Sequence, residues 1–216
     1  MTLQLHGYFR SSAAYRVRIA LGLKGIGFDT LPVHLTREGG FHTKPAYTAI
    51  NPEQLVPTLQ VGDDYLSQSL AILEYIEEQY PSPALLPTDP VKRAWVRAMA
   101  DLVACDVHPL NNLRVLKYLE GVLGVSPEKK LAWIGHWITL GFNALETRLA
   151  NDGYAGRCCL GDAPSFADCC LVPQVFSARR FNVAMDAYPT IVRVDAHLAT
   201  LDAFIKATPA AQVDAE

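Results

Sequence analysis

The chain lacks any stretch that stays uncharged and apolar over the roughly 20 residues that a membrane-spanning helix requires. It also lacks an excess of positive charge, because 19 Lys and Arg stand against 22 Asp and Glu, for a formal net charge of −3. Neither part is basic, since residues 1–82 hold 6 basic against 8 acidic side chains and residues 83–216 hold 13 against 14. We therefore expect no membrane span and no nucleic-acid surface.

Cysteine is scarce and spaced unlike a metal or redox motif. The 5 cysteines are an odd number, formed by Cys105 and the adjacent pairs 158–159 and 169–170. Adjacent cysteines lack the two-residue spacing of zinc and redox sites, and a disulfide between them would be strained. We expect reduced thiols in the core and no metal site.

The first six residues show no basic segment, apolar run or cleavage site, so we expect a cytoplasmic protein.

The first part of the chain alternates strand and helix patterns in the order β-α-β-α-β-β-α. The expected strands cover residues 3–8, 28–33, 56–61 and 65–66, and the expected helices cover 12–24, 45–50 and 69–80. The first strand, helix and second strand form a β-α-β unit, which requires a parallel strand pair.

A proline-containing connector at about residues 83–90 marks the expected domain boundary. After it only helical patterns occur, at 91–121, 127–149, 165–181 and 189–206. Ser165 and Asp168 have the spacing of a capping box at the start of the third of these helices. The sequence thus predicts a first α/β domain at 1–82 and an all-α domain at 91–216.

Three places in the first domain could bind an anion or a peptide. Ser11 and Ser12 lie where a helix begins, so unpaired N–H groups and the helix dipole would lower the pKa of a thiol located there, although the spacing by itself is more typical of a plain N-cap serine. Gln68-Ser69 repeats this pattern at the third helix, where Ser69 could cap or hold a carboxylate. Val56-Pro57 is a candidate cis peptide that would turn the Val56 backbone toward a peptide-like ligand, although trans is the common form.

The second domain offers a polar cluster on its first helix. His108, Asn111 and Asn112 would share one helix face beside Pro109, a position that favours a kink lining a cleft. A hydrogen-bonded helix interface would explain them equally well. Three arginine positions, 10, 114 and 179–180, could be solvated charges or carboxylate ligands.

Four segments together resemble the zeta class of glutathione transferases over essentially the whole chain. They are Ser11 to Leu21 (SSAAYRVRIAL), Asn51-Pro52 with Val56 to Leu59 (VPTL), Gln68 to Ile72 (QSLAI), and Leu171 to Val175 (LVPQV) with Arg180-Phe181. The resemblance implies a thioredoxin-like glutathione-binding domain, an all-α substrate-binding domain and a homodimer. It also implies a glutathione-dependent isomerase that converts the cis double bond of maleylacetoacetate or maleylpyruvate to trans, in tyrosine, phenylalanine or gentisate breakdown.

The resemblance also implies roles for individual residues. Ser11 would lie near the glutathione sulfur, with Ser12 and Ala13 beside it at the helix start. Val56 would pair with the cysteinyl backbone, and Gln68 and Ser69 would hold the γ-glutamyl carboxylate. The remaining glutathione contacts would come from His42, His108, Asn112 and Arg114.

The implied mechanism is reversible addition of a thiolate to the cis double bond, rotation about the resulting single bond, and expulsion of the thiolate. Since the substrate is a dianion, Arg10 and Arg180 are expected to bind its carboxylates and the enolate, with Arg114 as a further candidate. The exact dicarboxylate is left open, because one methylene or acetyl group changes binding only modestly.

Two positions depart from many members of the class. Ala13 and Leu55 stand where such members carry cysteine and glutamine, which puts in doubt any chemistry that needs a protein thiol at residue 13. Two other functions fit the sequence: a general glutathione transferase that conjugates or dehalogenates small electrophiles, and a non-catalytic glutathione-fold binding module.

Overall fold

The structure, a computed structural model, describes residues 3–216, which form two units: 3–85 together with Thr200–Glu216, and Leu86–Ala199. Met1 and Thr2, which belong to the segment without signal-sequence features, lie outside the described residues. The division differs from the predicted second domain, 91–216, because its last 17 residues belong to the first unit. Among residues 3–216, no helix combines the length and apolar character needed to cross a membrane.

Within its described residues, the first unit contains a mixed sheet of four strands in the order β2-β1-β3-β4. The strands are β1 (Leu3–Gly7), β2 (Phe28–Pro32), β3 (Thr58–Val61) and β4 (Asp64–Ser67). β1 and β2 pair in parallel with Leu3 opposite Phe28, whereas β3 is antiparallel to both β1 and β4. The predicted order of strands and helices along the chain and the parallel β-α-β unit are confirmed, and the order of the strands within the sheet is new information.

Four helices accompany this sheet: α1 (Ser12–Leu23), α2 (Pro45–Thr48), α3 (Ser69–Gln79) and, from the C-terminal segment, α9 (Asp202–Ala207). α1 is buried from Ala14 to Leu21. α9 packs on α1 so closely that a Cβ at Gly22 would lie 3.2 Å from the Cβ of Ala203. The buried Arg18 reinforces this contact, since its Nε donates to the carbonyl of Ala207 at 3.0 Å. These contacts explain why the C-terminal segment joins the first unit.

The second unit is helical, with α4 (Pro90–Asp101), α5 (Leu113–Gly121), α6 (Pro127–Asn151), α7 (Phe166–Arg180) and α8 (Pro189–Leu198). The continuous helix predicted at 91–121 is wrong. It is divided into α4, a π-helix at Leu102–Val107, a 3-10 turn at Pro109–Asn111, and α5. The helix predicted at 189–206 is likewise divided, into α8 and α9.

The capping box predicted at the start of α7 is confirmed. The Asp168 carboxylate accepts hydrogen bonds from Ser165 N at 2.8 Å and from Ser165 Oγ at 2.7 Å. It also accepts from Cys159 N at 2.8 Å, so this fully buried carboxylate ties the preceding loop to the helix. Burial raises the pKa of Asp168 above its ordinary value, and these hydrogen bonds oppose that shift.

Candidate functional site

The start of α1 combines a helix N-terminus with a serine hydroxyl. Ser11 is the N-cap, and its Oγ accepts a hydrogen bond from Ala14 N at 3.2 Å. The N–H groups of Ser12 and Ala13 lie in the same first turn, before any carbonyl of the helix can accept from them. Because Oγ uses a lone pair for the cap, its proton is still available to a ligand group at the N-terminal end of the helix. The cap and a thiolate-binding role are therefore compatible.

Arg10, in the loop that joins β1 to α1, is exposed and lies against aromatic rings. Its guanidinium carbon is 4.8 Å from the centroid of the Phe9 ring, and its NH2 donates to the Tyr8 hydroxyl at 2.9 Å. Such contacts limit the rotamers of an arginine while leaving other N–H donors for a ligand.

The peptide bond between Val56 and Pro57 is cis. The segment before it is held by the buried side chain of Asn51, whose Nδ2 donates to Leu55 O and to Thr58 Oγ1, both at 3.0 Å. The Tyr47 hydroxyl donates to the same Leu55 carbonyl at 2.6 Å and lies 2.9 Å from Thr58 Oγ1. This network fixes the backbone that presents Val56.

At the start of α3 the helix cap is not the predicted residue, and Gln68 and Ser69 each have a side-chain partner. Gln68, with φ +65°, is the N-cap, and Ser69 is the first helical residue, so Ser69 does not cap the helix as expected. Ser69 Oγ instead accepts from NH1 of Arg16 at 3.1 Å, and both side chains are buried. The Gln68 amide donates to the Glu53 carboxylate at 2.6 Å. A buried guanidinium thus reinforces the positive helix end at which a carboxylate is expected.

His42 lies in the 3-10 turn Phe41–Thr43 of the first unit. Gly40 precedes it with φ +106°, and a Cβ at that position would lie 2.3 Å from the His42 ring. A side chain at residue 40 is disfavoured by this φ and by the Leu35 carbonyl oxygen, which would lie 2.8 Å from the added Cβ.

The predicted cluster in the second unit is not one helix face. His108 ends the π-helix, whereas Asn112 is the N-cap of α5 with an extended backbone (ψ 147°), so the helical spacing between them is lost. The Asn112 side chain accepts from Arg114 N at 3.1 Å and is therefore engaged in capping. The Arg114 side chain is exposed.

Arg179 and Arg180 have different surroundings at the end of α7. Arg179 donates to the buried Asp195 at 2.6 Å, so its charge is paired although its side chain is 52% exposed. Arg180 is also exposed, with its guanidinium carbon 4.8 Å from the centroid of the Phe181 ring.

The structure adds Arg16, Glu53 and the Tyr47–Asn51 network to the residues predicted from the sequence. Arg16 carries a signal that could have been used, because it lies in a helix face that is otherwise apolar and a buried guanidinium requires an acceptor. Glu53 carries no such signal, since its contact with Gln68 depends on a hairpin that brings positions 15 residues apart together.

None of the 5 cysteines lies at the start of α1 or of α3. Cys158, Cys159, Cys169 and Cys170 are buried as expected, whereas Cys105 is exposed, contrary to the expectation of a core thiol. Burial raises the pKa of Cys158 to about 12 and that of Cys159 well above its ordinary value. Both thiols therefore stay protonated at neutral pH and are poor nucleophiles.

Comparison with known sequences gives a consistent family. Residues 5–84 match the glutathione S-transferase N-terminal domain. A maleylpyruvate isomerase from Ralstonia sp. is 51% identical over 98% of this chain and 99% of its own length. A maleylacetoacetate isomerase from Pseudomonas aeruginosa is 49% identical over 98% of each chain.

Solved structures agree with this result. The holo structure of a maleylpyruvate isomerase, described as a bacterial glutathione S-transferase of the zeta class, superposes with a TM-score of 0.96 at 51% identity and covers 99% of this chain and 100% of its own. A maleylacetoacetate isomerase from Anaeromyxobacter dehalogenans 2CP-1, with bound dicarboxyethyl glutathione and citrate in the active site, superposes with a TM-score of 0.86 at 41% identity and covers 100% of this chain and 94% of its own. The chain therefore belongs to the zeta class of glutathione transferases, the family of the maleylpyruvate and maleylacetoacetate isomerases.

Proposed function

We propose that this protein is a glutathione-dependent cis-trans isomerase of maleylpyruvate or maleylacetoacetate. The observation that carries the proposal is the 51% identity to a maleylpyruvate isomerase along nearly the whole of both chains. The first unit is the glutathione-binding part and the second the substrate-binding part.

The donor groups of the first unit suit a tripeptide that carries a thiol and a carboxylate. The N-terminus of α3, with Ser69 bonded to the buried Arg16, is a site for the γ-glutamyl carboxylate, and Gln68 lies beside it. The Val56 backbone would pair with the cysteinyl residue. His42, Ser12 and Ala13 complete the first unit's contacts, and His108, Asn112 and Arg114 those of the second.

Glutathione, when bound, supplies the thiolate that adds reversibly to the cis double bond. The Ser11 hydroxyl would donate a hydrogen bond to the sulfur, and the N-terminus of α1 favours negative charge, so both lower the pKa of the glutathione thiol toward neutral pH. Ala13 provides no protein thiol at this place, and the buried Cys158 and Cys159 stay protonated. The proposed nucleophile is therefore the sulfur of glutathione and not a thiol at residue 13, 158 or 159.

Arg10 and Arg180 bind the two carboxylates of the substrate and the enolate charge. Both are exposed, and each guanidinium lies against a ring of a neighbouring residue, which restricts its position at the surface. The binding of dicarboxyethyl glutathione and citrate by a relative supports a site for carboxylates of this kind.

The test compares specificity constants for maleylpyruvate and maleylacetoacetate with and without glutathione. We expect turnover only with glutathione, and a fall of roughly ten- to hundred-fold in kcat/KM when Arg10 or Arg180 is changed to Ala, because each loses a charged hydrogen bond. Arg157→Ala, an exposed arginine paired with Asp162, is the matched control and should retain wild-type activity.

Conjugation of a neutral electrophile separates this function from that of a general glutathione transferase. The arginine variants should spare conjugation, because a neutral substrate has no carboxylate to bind. Equal loss of both activities would contradict the carboxylate-binding role, and rapid turnover without glutathione would contradict the function itself.

The cellular setting is part of the proposal. All 5 cysteines are free, which suits a reducing compartment such as the cytoplasm. The family resemblance supports a homodimer.

A further inference from the structure

The last residues of the chain lie against the loop that precedes Ser11. The Asp214 carboxylate accepts a hydrogen bond from the backbone N–H of Phe9 at 3.0 Å, across 205 positions of sequence. Phe9 is buried, so without Asp214 this N–H would lose a partner away from water. The Phe9 carbonyl is held as well, because it accepts from Arg18 NH2 at 3.0 Å. Both polar backbone groups of Phe9 are therefore fixed next to Arg10.

Glu216, two residues after Asp214, makes a second contact, with His34, which packs on the Tyr8 ring near Arg10. The Nδ1 atom of His34 accepts from the backbone N–H groups of Thr36 at 3.1 Å and Arg37 at 2.9 Å, so the ring proton is on Nε2. Nε2 lies 3.1 Å from Glu216 Oε1 and donates to it, and the Arg37 guanidinium also donates to this carboxylate. The fixed imidazole packs edge-to-face on the ring of Tyr8 with centroids 4.9 Å apart.

Tyr8 connects this contact to the loop, because its hydroxyl accepts from Arg10 at 2.9 Å. We call residues 213–216 the C-terminal strap. The strap reaches the loop at two points: directly at Phe9 through Asp214, and indirectly at Arg10 through Glu216, His34 and Tyr8.

We propose that Asp214 is a positioning residue for the reaction, which holds the β1–α1 loop so that Arg10 and Ser11 keep their working geometry, and that Glu216 supports it. The inference rests on the proposed function for its effect on turnover, but the contact with Phe9 can be tested without it. A displacement of about 1 Å in a catalytic group is enough to slow an enzyme markedly. Asp214 itself needs no contact with substrate or glutathione.

The experiment uses the full-length protein with Asp214→Ala, Asp214→Asn and Glu216→Ala. Asp214→Ala should lower kcat about ten-fold and raise the pKa of the bound glutathione thiol, followed by thiolate absorbance. The dissociation constant for glutathione should change less than about three-fold, since Val56, Gln68 and Ser69 lie on other elements. Asp214→Asn should restore most of kcat, because its amide oxygen can accept from Phe9. Glu216→Ala should have a smaller effect, about three-fold on kcat, since it acts through His34 and Tyr8.

Hydrogen exchange at the Phe9 amide gives a readout that is independent of isomerisation. Exchange should quicken about ten-fold or more in Asp214→Ala and stay slow in Asp214→Asn. Val213→Ala is the matched control, because that side chain is 81% exposed, and it should behave as wild type.

Unchanged Phe9 exchange in Asp214→Ala would overturn the inference, and so would faster exchange with wild-type kcat and thiol pKa. If the wild-type protein binds glutathione but isomerises neither substrate, the proposed function fails. The exchange and thiolate measurements then still decide whether the strap controls the loop.

Discussion

At the scale of single residues, Ser11 combines an observed role in folding with a proposed role in chemistry. Its oxygen caps α1 by accepting from Ala14 N, and its proton is free to be donated to an anion at the N-terminal end of the helix. A choice between cap and catalytic group, which the sequence leaves open, is therefore unnecessary.

Replacing Ser11 by Ala should affect both properties. The free energy of unfolding should fall by about 1 kcal/mol through loss of the cap. The pKa of bound glutathione should rise, because the thiolate loses a hydrogen-bond donor, and isomerisation at neutral pH should slow about ten-fold. Urea unfolding and an absorbance titration of the thiolate measure the two effects.

Ser126→Ala is a matched control, since Ser126 caps α6 in the second unit by accepting from Lys129 N at 3.4 Å. Ser126→Ala should lower the free energy of unfolding by about as much as Ser11→Ala and leave the pKa of the bound glutathione thiol unchanged. A Ser11→Ala protein that titrates like wild type would show that the hydroxyl does not contact the sulfur.

Residue-level prediction succeeds where the signal is local. The positions of Ser11, Val56 and Gln68 beside strand ends and helix starts follow from short patterns. The Arg16 contact with Ser69 could not be predicted in this way, because it joins α1 to α3 across 53 positions. Local propensity carries no information on such long-range pairing.

At the scale of elements, the break between α4 and α5 shows where helical periodicity misleads. Pro109 is expected to kink one helix, but the chain passes through a π-helix and a 3-10 turn before Asn112 starts a new helix with its own cap. The apolar spacing continues through this region, so an interpretation based on period alone joins pieces that the backbone separates.

The start of α7 gives a test at the element scale. Asp168→Ala should reduce the free energy of unfolding by about 3 kcal/mol, because it leaves the buried N–H groups of Cys159 and Ser165 without acceptors. Asp168→Asn should lower the free energy of unfolding by a smaller amount, since the asparagine side chain retains one acceptor oxygen. Urea unfolding monitored by circular dichroism provides the measurement.

Asp89→Ala is the comparison for Asp168. Asp89 caps α4 by accepting from Lys92 N at 2.8 Å, but it is exposed, so water can replace it. Asp89→Ala should therefore lower the free energy of unfolding by clearly less than Asp168→Ala does. Equal destabilisation of the two variants would contradict the view that the buried carboxylate ties the 155–164 loop to α7.

At the scale of the whole molecule, the class of both units and the order of elements along the first follow from the sequence, whereas the assignment of residues 200–216 to the first unit does not. Periodicity places Thr200–Glu216 after a series of helices, and nothing local indicates that they return to α1. That return depends on Gly22 meeting Ala203 and on Arg18 meeting Ala207.

The proposed homodimer is a prediction at this scale. Sedimentation at micromolar concentration should give a single species of about twice the chain mass of 23.7 kDa. The measurement should be repeated with glutathione, because a ligand that binds only the assembled form would stabilise it. A stable species of 23.7 kDa under both conditions would contradict the dimer.

The return of the C-terminal segment to α1 has a consequence for biosynthesis. A ribosome delivers the chain from its N-terminus, so α1 and the sheet emerge long before the residues that cover them. Until residues 200–216 are synthesised, Arg18 lacks its Ala207 acceptor and the Phe9 N–H lacks Asp214, whereas Leu86–Ala199 is already available as an uninterrupted segment. The nascent first unit therefore acquires these contacts only after the second unit has been made, even though its sheet and α1 are synthesised before that unit.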